Sequence, residues 1–256
     1  MFPQTSAHPV IGQPFIVLPR VDSTNNYAMG QVHEGLAKHG ATWLAIDQTN
    51  GKGQRSKRWI TAPGMNILMS IVFEPKLLGI TKTFDLSALV IFSCYQFFKK
   101  YAGQEITIKW PNDLYWRDRK AGGILIENIL RGSDWLYSVA GIGLNINQET
   151  FDPRITNPVS LYQITGFEKN IIELAEELCG FIQRTTEFLK NPEFSLLNEF
   201  NQALYCRHKK VRLKKGNITF ETTIIGVNDS GQLLTSDATD RCFEFGEVEW
   251  LLEEKQ

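Results

Sequence analysis

The segment formed by residues 51–59 has the composition of a loop that binds an anionic ligand. It contains Gly51 and Gly53, four basic residues before Trp59, and no acidic residue. Glycines expose successive backbone N–H groups to a ligand, cations complement phosphate, and an indole ring offers a stacking face to a purine. The segment lacks the Walker P-loop pattern, so a solvated basic loop remains the alternative for this motif alone.

Four further motifs combine polar, basic or small residues where predicted elements begin or end. Residues 23–25 (STN) contain two hydroxyls and an amide that suit a polar ligand group, but a helix cap is the stronger interpretation of that motif alone. The remaining motifs are KWPND (109–113), KAGGILIE (120–127) and GIGLNIN (141–147). Their simpler interpretations are a hairpin with an exposed lysine, a surface lysine at a turn, and a β-bulge.

Hydrophobic patterning predicts the strands and helices that position these motifs. Apolar runs predict strands over 15–21, 42–48 and 66–73. Helical spacing and capping residues predict helices over 22–36, 83–101, 171–189 and 192–205. Between them, short apolar segments separated by turns predict an antiparallel meander over 106–110, 114–116, 122–130 and 135–147.

The pattern changes after Tyr205, where about fifty residues contain five short strand-like segments with turn signals. Such spacing is typical of a small barrel. We therefore predict an α+β fold with two domains. Residues 1–205 form a mixed β-sheet with flanking helices, and residues 206–256 form a small β-barrel.

Overall composition excludes several classes of protein. The 256 residues carry a formal net charge of -1 and are 43% hydrophobic, which argues against disorder and against general nucleic-acid binding. The four cysteines and four histidines are scattered and show no disulfide framework or zinc-ligand spacing. No signal peptide or membrane-spanning run is present in the sequence. We expect a cytoplasmic protein.

Taken together and in this order, the motifs resemble those of the biotin protein ligases. The match rests on STN at 23–25, QTNGKGQRSKRW at 48–59, KWPND, KAGGILIE and GIGLNIN, and it extends from about residue 15 to the end of the chain. The resemblance implies a catalytic domain of the class II synthetase/biotin ligase type followed by an SH3-like barrel. It also implies the monofunctional type without an N-terminal DNA-binding domain, because few residues precede the first predicted strand.

Members of this family join biotin to ATP, forming biotinyl-5′-AMP, and then transfer biotin to one lysine of a biotin carboxyl carrier domain. The resemblance therefore implies ATP and Mg²⁺ as cofactors and biotin as substrate. The partner is a carboxylase carrier domain, for which acetyl-CoA carboxylase is usual in the family. We expect no DNA or membrane partner and either a monomer or a homodimer.

The resemblance also assigns site residues. The predicted catalytic residues are Lys120, Arg55 and Asp113, with Lys120 as the main charge stabiliser and Asp113 as an orienting group or proton acceptor. The predicted biotin-binding residues are Ser23, Thr24, Asn25, Gln48, Gly51, Lys52, Gly53, Gln54, Arg55, Lys120, Gly122 and Gly123. The predicted nucleotide-binding residues are Lys52, Arg55, Trp59, Asn112, Lys120 and Asn145. No residue is assigned as a metal ligand.

The loop departs from the family pattern at three positions. Lys52 and Gln54 stand where arginines are common, and Ser56 stands where glycine is common. Lysine keeps the charge without the bidentate fork of arginine, and Gln54 loses the charge. Two alternatives to a biotin ligase remain open: a lipoate or octanoate ligase or transferase of related fold, and a biotin-sensing regulator without enzymatic activity.

Overall fold

A computed structural model of the chain describes residues 10–251. Within this range the chain forms twelve strands and five α-helices. The strands are β1 (Phe15–Leu18), β2 (Thr42–Ala45), β3 (Asn66–Phe73), β4 (Ile106–Lys109), β5 (Asp113–Trp116), β6 (Arg119–Arg131), β7 (Asp134–Asn145), β8 (Lys210–Lys215), β9 (Ile218–Val227), β10 (Leu233–Ser236), β11 (Asp240–Phe243) and β12 (Glu249–Leu251). The helices are α1 (Thr24–His33), α2 (Thr83–Ala102), α3 (Leu161–Thr165), α4 (Ile171–Phe188) and α5 (Leu196–Gln202).

Seven strands form a mixed sheet in the order β1-β2-β3-β7-β6-β5-β4. Strands β1 and β2 are parallel, and the other neighbouring pairs are antiparallel. The predicted meander is therefore confirmed as β4 to β7. Strand β3 has its predicted bounds, whereas β6 begins earlier than predicted, at Arg119, because its pairing with β5 extends to that residue.

Helices α2 and α4 cover one face of this sheet. Apolar residues of α2 such as Leu89 and Phe97 join Ile67, Met69 and Ile71 of β3 in one core. These β3 residues alternate because successive side chains of a strand point to opposite faces. Each fully buried apolar side chain stabilises the fold by ~1.5–3 kcal/mol, so this face supplies the rigid support for the sheet.

Helix α1 packs on the opposite face, where Ala28 and Val72 belong to a smaller apolar cluster. Next to that cluster, this face carries Ser70, Gly141 and Gly143 in place of large side chains. The alternation along β3 and β7 thus assigns one face to the core. It leaves the other face open to a cavity.

The five strands predicted after Tyr205 are confirmed and form an antiparallel sheet in the order β11-β10-β9-β8-β12. Within residues 10–251 no hydrogen-bonded pairing joins β11 to β12, so this sheet is open and a closed barrel is not confirmed. It docks beside the KWPND turn, where Trp110 Nε1 donates a hydrogen bond of 2.9 Å to the Gly231 carbonyl. The Trp110 and Phe245 rings also pack edge to face.

Three helices differ from the prediction for local reasons. Helix α1 ends before residue 36, because Gly35 adopts a φ of 72°. Helix α5 begins later than predicted because the Ser195 hydroxyl accepts a hydrogen bond from the Asn198 N–H and fixes the start. Helix α3 was not predicted, although Ser160 and Gln163 form a capping box. Among the described residues, no helix is long and apolar enough to cross a membrane.

Candidate functional site

A cavity of about 820 Å³ lies between the open face of the large sheet, the loop 51–59, the segment 151–158 and the β11–β12 end of the small sheet. This volume is sufficient for a ligand of cofactor size. Fourteen of the sixteen predicted site residues line it: Ser23, Thr24, Asn25, Gln48, Lys52, Gly53, Gln54, Arg55, Trp59, Asn112, Asp113, Lys120, Gly123 and Asn145. Gly51 and Gly122 do not line the cavity, because Gly51 packs behind Trp59 and Gly122 faces Leu144.

The STN motif begins α1, but its side chains do more than cap the helix. Ser23 occupies the cap position without a side-chain capping hydrogen bond. Thr24 and Asn25 are buried, and the Ser70 Oγ lies 2.7 Å from Thr24 Oγ1 and 2.6 Å from Asn25 Oδ1. Gln48 Oε1 accepts a hydrogen bond of 2.7 Å from the Thr24 N–H. The helix start therefore presents a cluster of hydroxyl and amide groups to the cavity, and the cap interpretation alone is wrong.

Glu127 on β6 connects this cluster to the basic loop. Its Oε2 accepts a hydrogen bond of 2.8 Å from the Asn25 amide, and its Oε1 lies 3.0 Å from Lys52 Nζ. Neither Glu127 nor Ser70 was predicted as a site residue. The signal for Ser70 is that it is a lone hydroxyl in the apolar strand NILMSIVF. Glu127 ends the KAGGILIE motif, but its contacts with Asn25 and Lys52 could not be predicted from that motif because both partners lie far away in sequence.

The basic loop folds back on itself as a short hairpin. The Gly53 N–H donates to the Lys57 carbonyl at 2.7 Å, and the Trp59 N–H donates to the Gly51 carbonyl at 2.9 Å. At the tip, Arg55 adopts a φ of 54° and directs its guanidinium toward the small sheet. The hairpin thereby spans the cavity from the large sheet to the small one.

The tip of the hairpin contacts the turn between β11 and β12. The Arg55 guanidinium carbon lies 5.2 Å from the centre of the Phe245 ring. A Cβ built on Gly246 would lie 1.2 Å from Arg55 Nη2, so any other residue there would displace the guanidinium from this position. Two segments almost two hundred residues apart in sequence therefore meet at the edge of the cavity.

The glycines of the GIGLNIN motif allow two side chains to approach the sheet closely. A Cβ on Gly141 would lie 2.3 Å from Asn25 Oδ1, and a Cβ on Gly143 would lie 2.6 Å from Trp59 Cε2. Strand β7 pairs regularly with β3 and β6 across both glycines, so the bulge interpretation is wrong. Along β7, the Asn25 cluster is thus followed by the Trp59 indole.

A β-bulge in the neighbouring strand pair places Lys120 in the cavity. The register between β5 and β6 shifts between Leu114 and Tyr115, so that Tyr115 pairs with Lys120 and Ala121 is the extra residue. One residue of slip moves a side chain to the opposite face, and without the bulge Lys120 would point away from Asp113. Instead, Lys120 Nζ lies 2.6 Å from Asp113 Oδ1 and 5.6 Å from the Trp59 ring centre.

Asn112 and Asn145 hold the backbone around this pair. The Asn112 amide donates a hydrogen bond to the Ile124 carbonyl. The Asn145 amide donates to the carbonyls of Lys120, at 3.2 Å, and Val159, at 3.1 Å. Both asparagines therefore fix the strand ends from which Lys120 projects.

Basic side chains outnumber acidic ones in the cavity lining although the whole chain has a net charge of -1. Seven basic side chains line it: Lys52, Arg55, Lys57, Arg58, Lys109, Lys120 and Arg154. Only Asp113 and Glu249 are acidic among the described lining residues. Such local accumulation of one sign of charge favours a polyanionic ligand. Lys109 and Arg154 were not predicted as site residues, and the simpler interpretation of KWPND as a hairpin with an exposed lysine is wrong because Lys109 is buried.

Comparison with known proteins agrees with this arrangement. The biotin/lipoate A/B protein ligase family matches residues 17–145. The chain belongs to this family. The matched range contains STN, the basic loop, KWPND, KAGGILIE and the beginning of GIGLNIN, so the family motifs and the cavity coincide.

Relatives in this ligase family cover most of the chain. The "bifunctional ligase/repressor BirA" of Bacillus subtilis (strain 168) is 32% identical over 229 residues, which is 88% of this chain and 70% of the relative. The "biotin–[acetyl-CoA-carboxylase] ligase" of Paracoccus denitrificans is 28% identical over 226 residues, covering 85% of this chain and 92% of the relative. Against BirA of Escherichia coli (strain K12), the match spans only 43% of the relative.

The fold of this chain is similar to that of a solved structure, the biotin protein ligase from Aquifex aeolicus in complex with biotin and ATP. The TM-score is 0.77 at 22% identity, and the match covers 93% of this chain and 99% of the other. At this identity the likeness establishes the fold, a mixed α+β architecture of the biotin protein ligase type.

Proposed function

We propose that the chain is an ATP-dependent biotin protein ligase that forms biotinyl-5′-AMP and transfers biotin to a lysine of a biotin carboxyl carrier domain. The observation that carries this proposal is that one cavity brings together the Asn25 cluster, the Trp59 indole and the Lys120–Asp113 pair. A neutral polar head, a purine and an activated carboxylate require these three environments. The likeness to the biotin–[acetyl-CoA-carboxylase] ligase of P. denitrificans supports a carboxylase carrier as the acceptor.

The polar cluster suits the ureido ring of biotin. That ring offers two N–H donors and one carbonyl acceptor; Thr24 and Asn25 supply hydroxyl and amide partners, and Ser70 holds both in place from behind. We further propose Ser23, Gln48 and Gly123 as biotin contacts from the lining of the cavity. A buried polar group of a ligand left without a partner would cost ~1–3 kcal/mol, which is the physical basis for selecting biotin.

The cationic end of the cavity suits adenylation. A carboxylate oxygen of biotin attacks the α-phosphorus of ATP, the bond to the bridging oxygen breaks, and pyrophosphate leaves with the electron pair. Lys120 and Arg55 stabilise the negative charge, and Trp59, with Lys52, Asn112 and Asn145, forms the proposed nucleotide site. Asp113 orients Lys120 through their ion pair.

Transfer follows when the amine of the carrier lysine attacks the biotinyl carbonyl and AMP leaves. The amine has a free pKa of ~10.4, so a proton must be removed from it, and Asp113 is the carboxylate proposed to accept it. Closing the loop 51–59 over the mixed anhydride excludes water until the amine arrives.

We further propose that Mg²⁺ binds together with the phosphates of ATP and would neutralise part of their charge. It is commonly held by one or two carboxylates together with substrate phosphates. Glu249 is a carboxylate of the cavity lining that fits this requirement and lies outside the Lys120–Asp113 ion pair. We also propose the small C-terminal sheet as an SH3-like domain, with the boundary between residues 205 and 206.

The first test uses the purified chain with biotin, ATP and a carrier domain. We expect biotin-dependent exchange of pyrophosphate into ATP and incorporation of labelled biotin into the carrier. Lipoate and octanoate are tested in parallel, because the family also includes lipoate ligases. Preferential incorporation of lipoate would favour that alternative, and biotin binding without pyrophosphate exchange would favour a regulator.

A further inference from the structure

Lys109 is a buried cation whose role the preceding proposal leaves unassigned. It is the last residue of β4, and only 8% of its surface is exposed. Its Nζ lies 3.1 Å from the Tyr115 hydroxyl and 4.5 Å from the centre of the Tyr115 ring. The Trp250 ring, from β12 of the small sheet, lies 5.5 Å away on another side.

No carboxylate among the described residues lies within ion-pairing distance of this ammonium group. One hydroxyl and two aromatic faces replace only part of the hydration that the ammonium loses on burial. Burial accordingly lowers the pKa of Lys109 to about 8. Asp113 and the Cys206 thiol oppose this shift, whereas the nearby cations Lys120 and Lys57 add to it.

A purely structural role for Lys109 explains these contacts less well. A methionine would fill the same space against the two rings without the desolvation cost of a charge. The side chain lies in the lining of the cavity. A buried ammonium at the wall of a cavity is stabilised when an anion enters that cavity.

The register of the strands relates Lys109 to the proposed reaction centre. Lys109 pairs with Asp113 across β4 and β5, and the bulge pairs Tyr115 with Lys120 across β5 and β6. The two lysines therefore lie on the same face of the sheet, on either side of the Asp113 carboxylate. A ligand with more than one anionic group, such as a polyphosphate, suits two lysines placed in this way.

Resting on the proposed function, we propose that Lys109 binds the β- and γ-phosphates of ATP and the pyrophosphate that leaves. Lys120 then binds the α-phosphate. Lys109 stabilises the negative charge that develops on pyrophosphate when its bond to the α-phosphorus breaks. No proton transfer is needed in this step, because the electron pair departs on pyrophosphate. Trp250 completes the enclosure, so the small sheet contributes to the phosphate site.

The test compares Lys109→Met with Lys99→Met. Lys99 is the matched control because its Nζ also lies 3.1 Å from a tyrosine hydroxyl, that of Tyr95, outside the cavity lining. We expect Lys109→Met to weaken binding of inorganic pyrophosphate and to lower kcat/KM for ATP by about 10- to 100-fold. Biotin affinity and transfer from synthetic biotinyl-5′-AMP to the carrier should change less than about twofold, and Lys99→Met should change none of these.

The proposal would be overturned if Lys109→Met slowed transfer from biotinyl-5′-AMP as much as it lowered kcat/KM for ATP. An unchanged affinity for pyrophosphate would also overturn it. Because Lys109→Met is a core substitution, amine labelling of the wild-type protein read by mass spectrometry provides a second measurement. Pyrophosphate should protect Lys109 but not Lys99, and equal labelling at saturating pyrophosphate would also overturn it. Pyrophosphate binding that depends on Lys109 in a chain without biotin ligation would refute only the proposed function.

Discussion

Replacing Lys120 with methionine should separate adenylate formation from biotin binding. The substitution keeps an unbranched stem beside Trp59 and removes the charge whose Nζ lies 2.6 Å from Asp113 Oδ1. The side chains of this pair are only 28% and 24% exposed, so the small energies typical of surface ion pairs do not apply. Removing one donor aimed at developing charge in an enclosed site lowers kcat by ~10²–10³, or ~2.7–4 kcal/mol.

A second effect adds to this loss. Without Lys120, the Asp113 carboxylate is left without its ion pair and repels the incoming phosphates. We therefore expect Lys120→Met to lie at the upper end of the range. The double variant with Asp113→Asn should recover about tenfold of the rate, because residues of one ion pair are not additive.

The assay is single-turnover formation of biotinyl-5′-AMP, with biotin affinity measured separately by calorimetry. Biotin affinity should fall by less than about fivefold, since the proposed ureido contacts lie at the Asn25 cluster. An unchanged rate of adenylate formation would remove Lys120 from the mechanism. Equal losses in the rate and in biotin affinity would give Lys120 a binding role in place of the one proposed here.

Three further predictions concern the surrounding residues. A double-mutant cycle of Glu127→Gln and Lys52→Met, measured as biotin affinity, should give a coupling energy of ~0.2–1 kcal/mol, because both side chains of this ion pair are partly exposed. A coupling energy of zero would mean that the ion pair does not connect the loop to the sheet. Gly143→Ala should displace the Trp59 indole and weaken ATP binding by about tenfold with biotin affinity retained, and an unchanged KM for ATP would contradict the stacking role. Lys109→Met should stabilise the fold at pH 7, because the pKa of Lys109 is about 8 in the folded chain and ~10.4 when unfolded. Between pH 8 and about 10.4 the unfolded chain binds more protons than the folded chain, so the free energy of unfolding of the wild type rises with pH. The difference in stability between Lys109→Met and the wild type should therefore shrink over this range, and chemical denaturation measures it.

Much of the fold was predictable from local pattern. The bounds of β3 agree with an apolar run that only Ser70 interrupts after Asn66, and the meander from β4 to β7 follows from turn residues between apolar segments. The positions of helix ends were less predictable. Ser195 and Gly35 decided two of them, and several equivalent capping residues lie nearby in the sequence.

The cavity lining was predictable where a motif carries its own residues, and less so where a contact depends on register. Gly122 and Gly123 are adjacent glycines with opposite orientations, and only the strand pairing tells which of them faces Asp113. Ala121 marks a bulge that no local signal reveals. The burial of Lys109 depends on Trp250, which lies far along the chain, so local sequence could not indicate it.

Because Arg55 contacts Phe245 and Gly246, the turn between β11 and β12 of the small sheet supports the tip of the hairpin 51–59. A fragment that ends before β8 would keep the motif residues yet lack the turn that Arg55 contacts. A side chain at residue 246 would displace the Arg55 guanidinium, and the φ of 86° at Gly246 disfavours any other residue there. On the proposed function, retention of the adenylate would therefore depend in part on a glycine that lies outside the catalytic motifs.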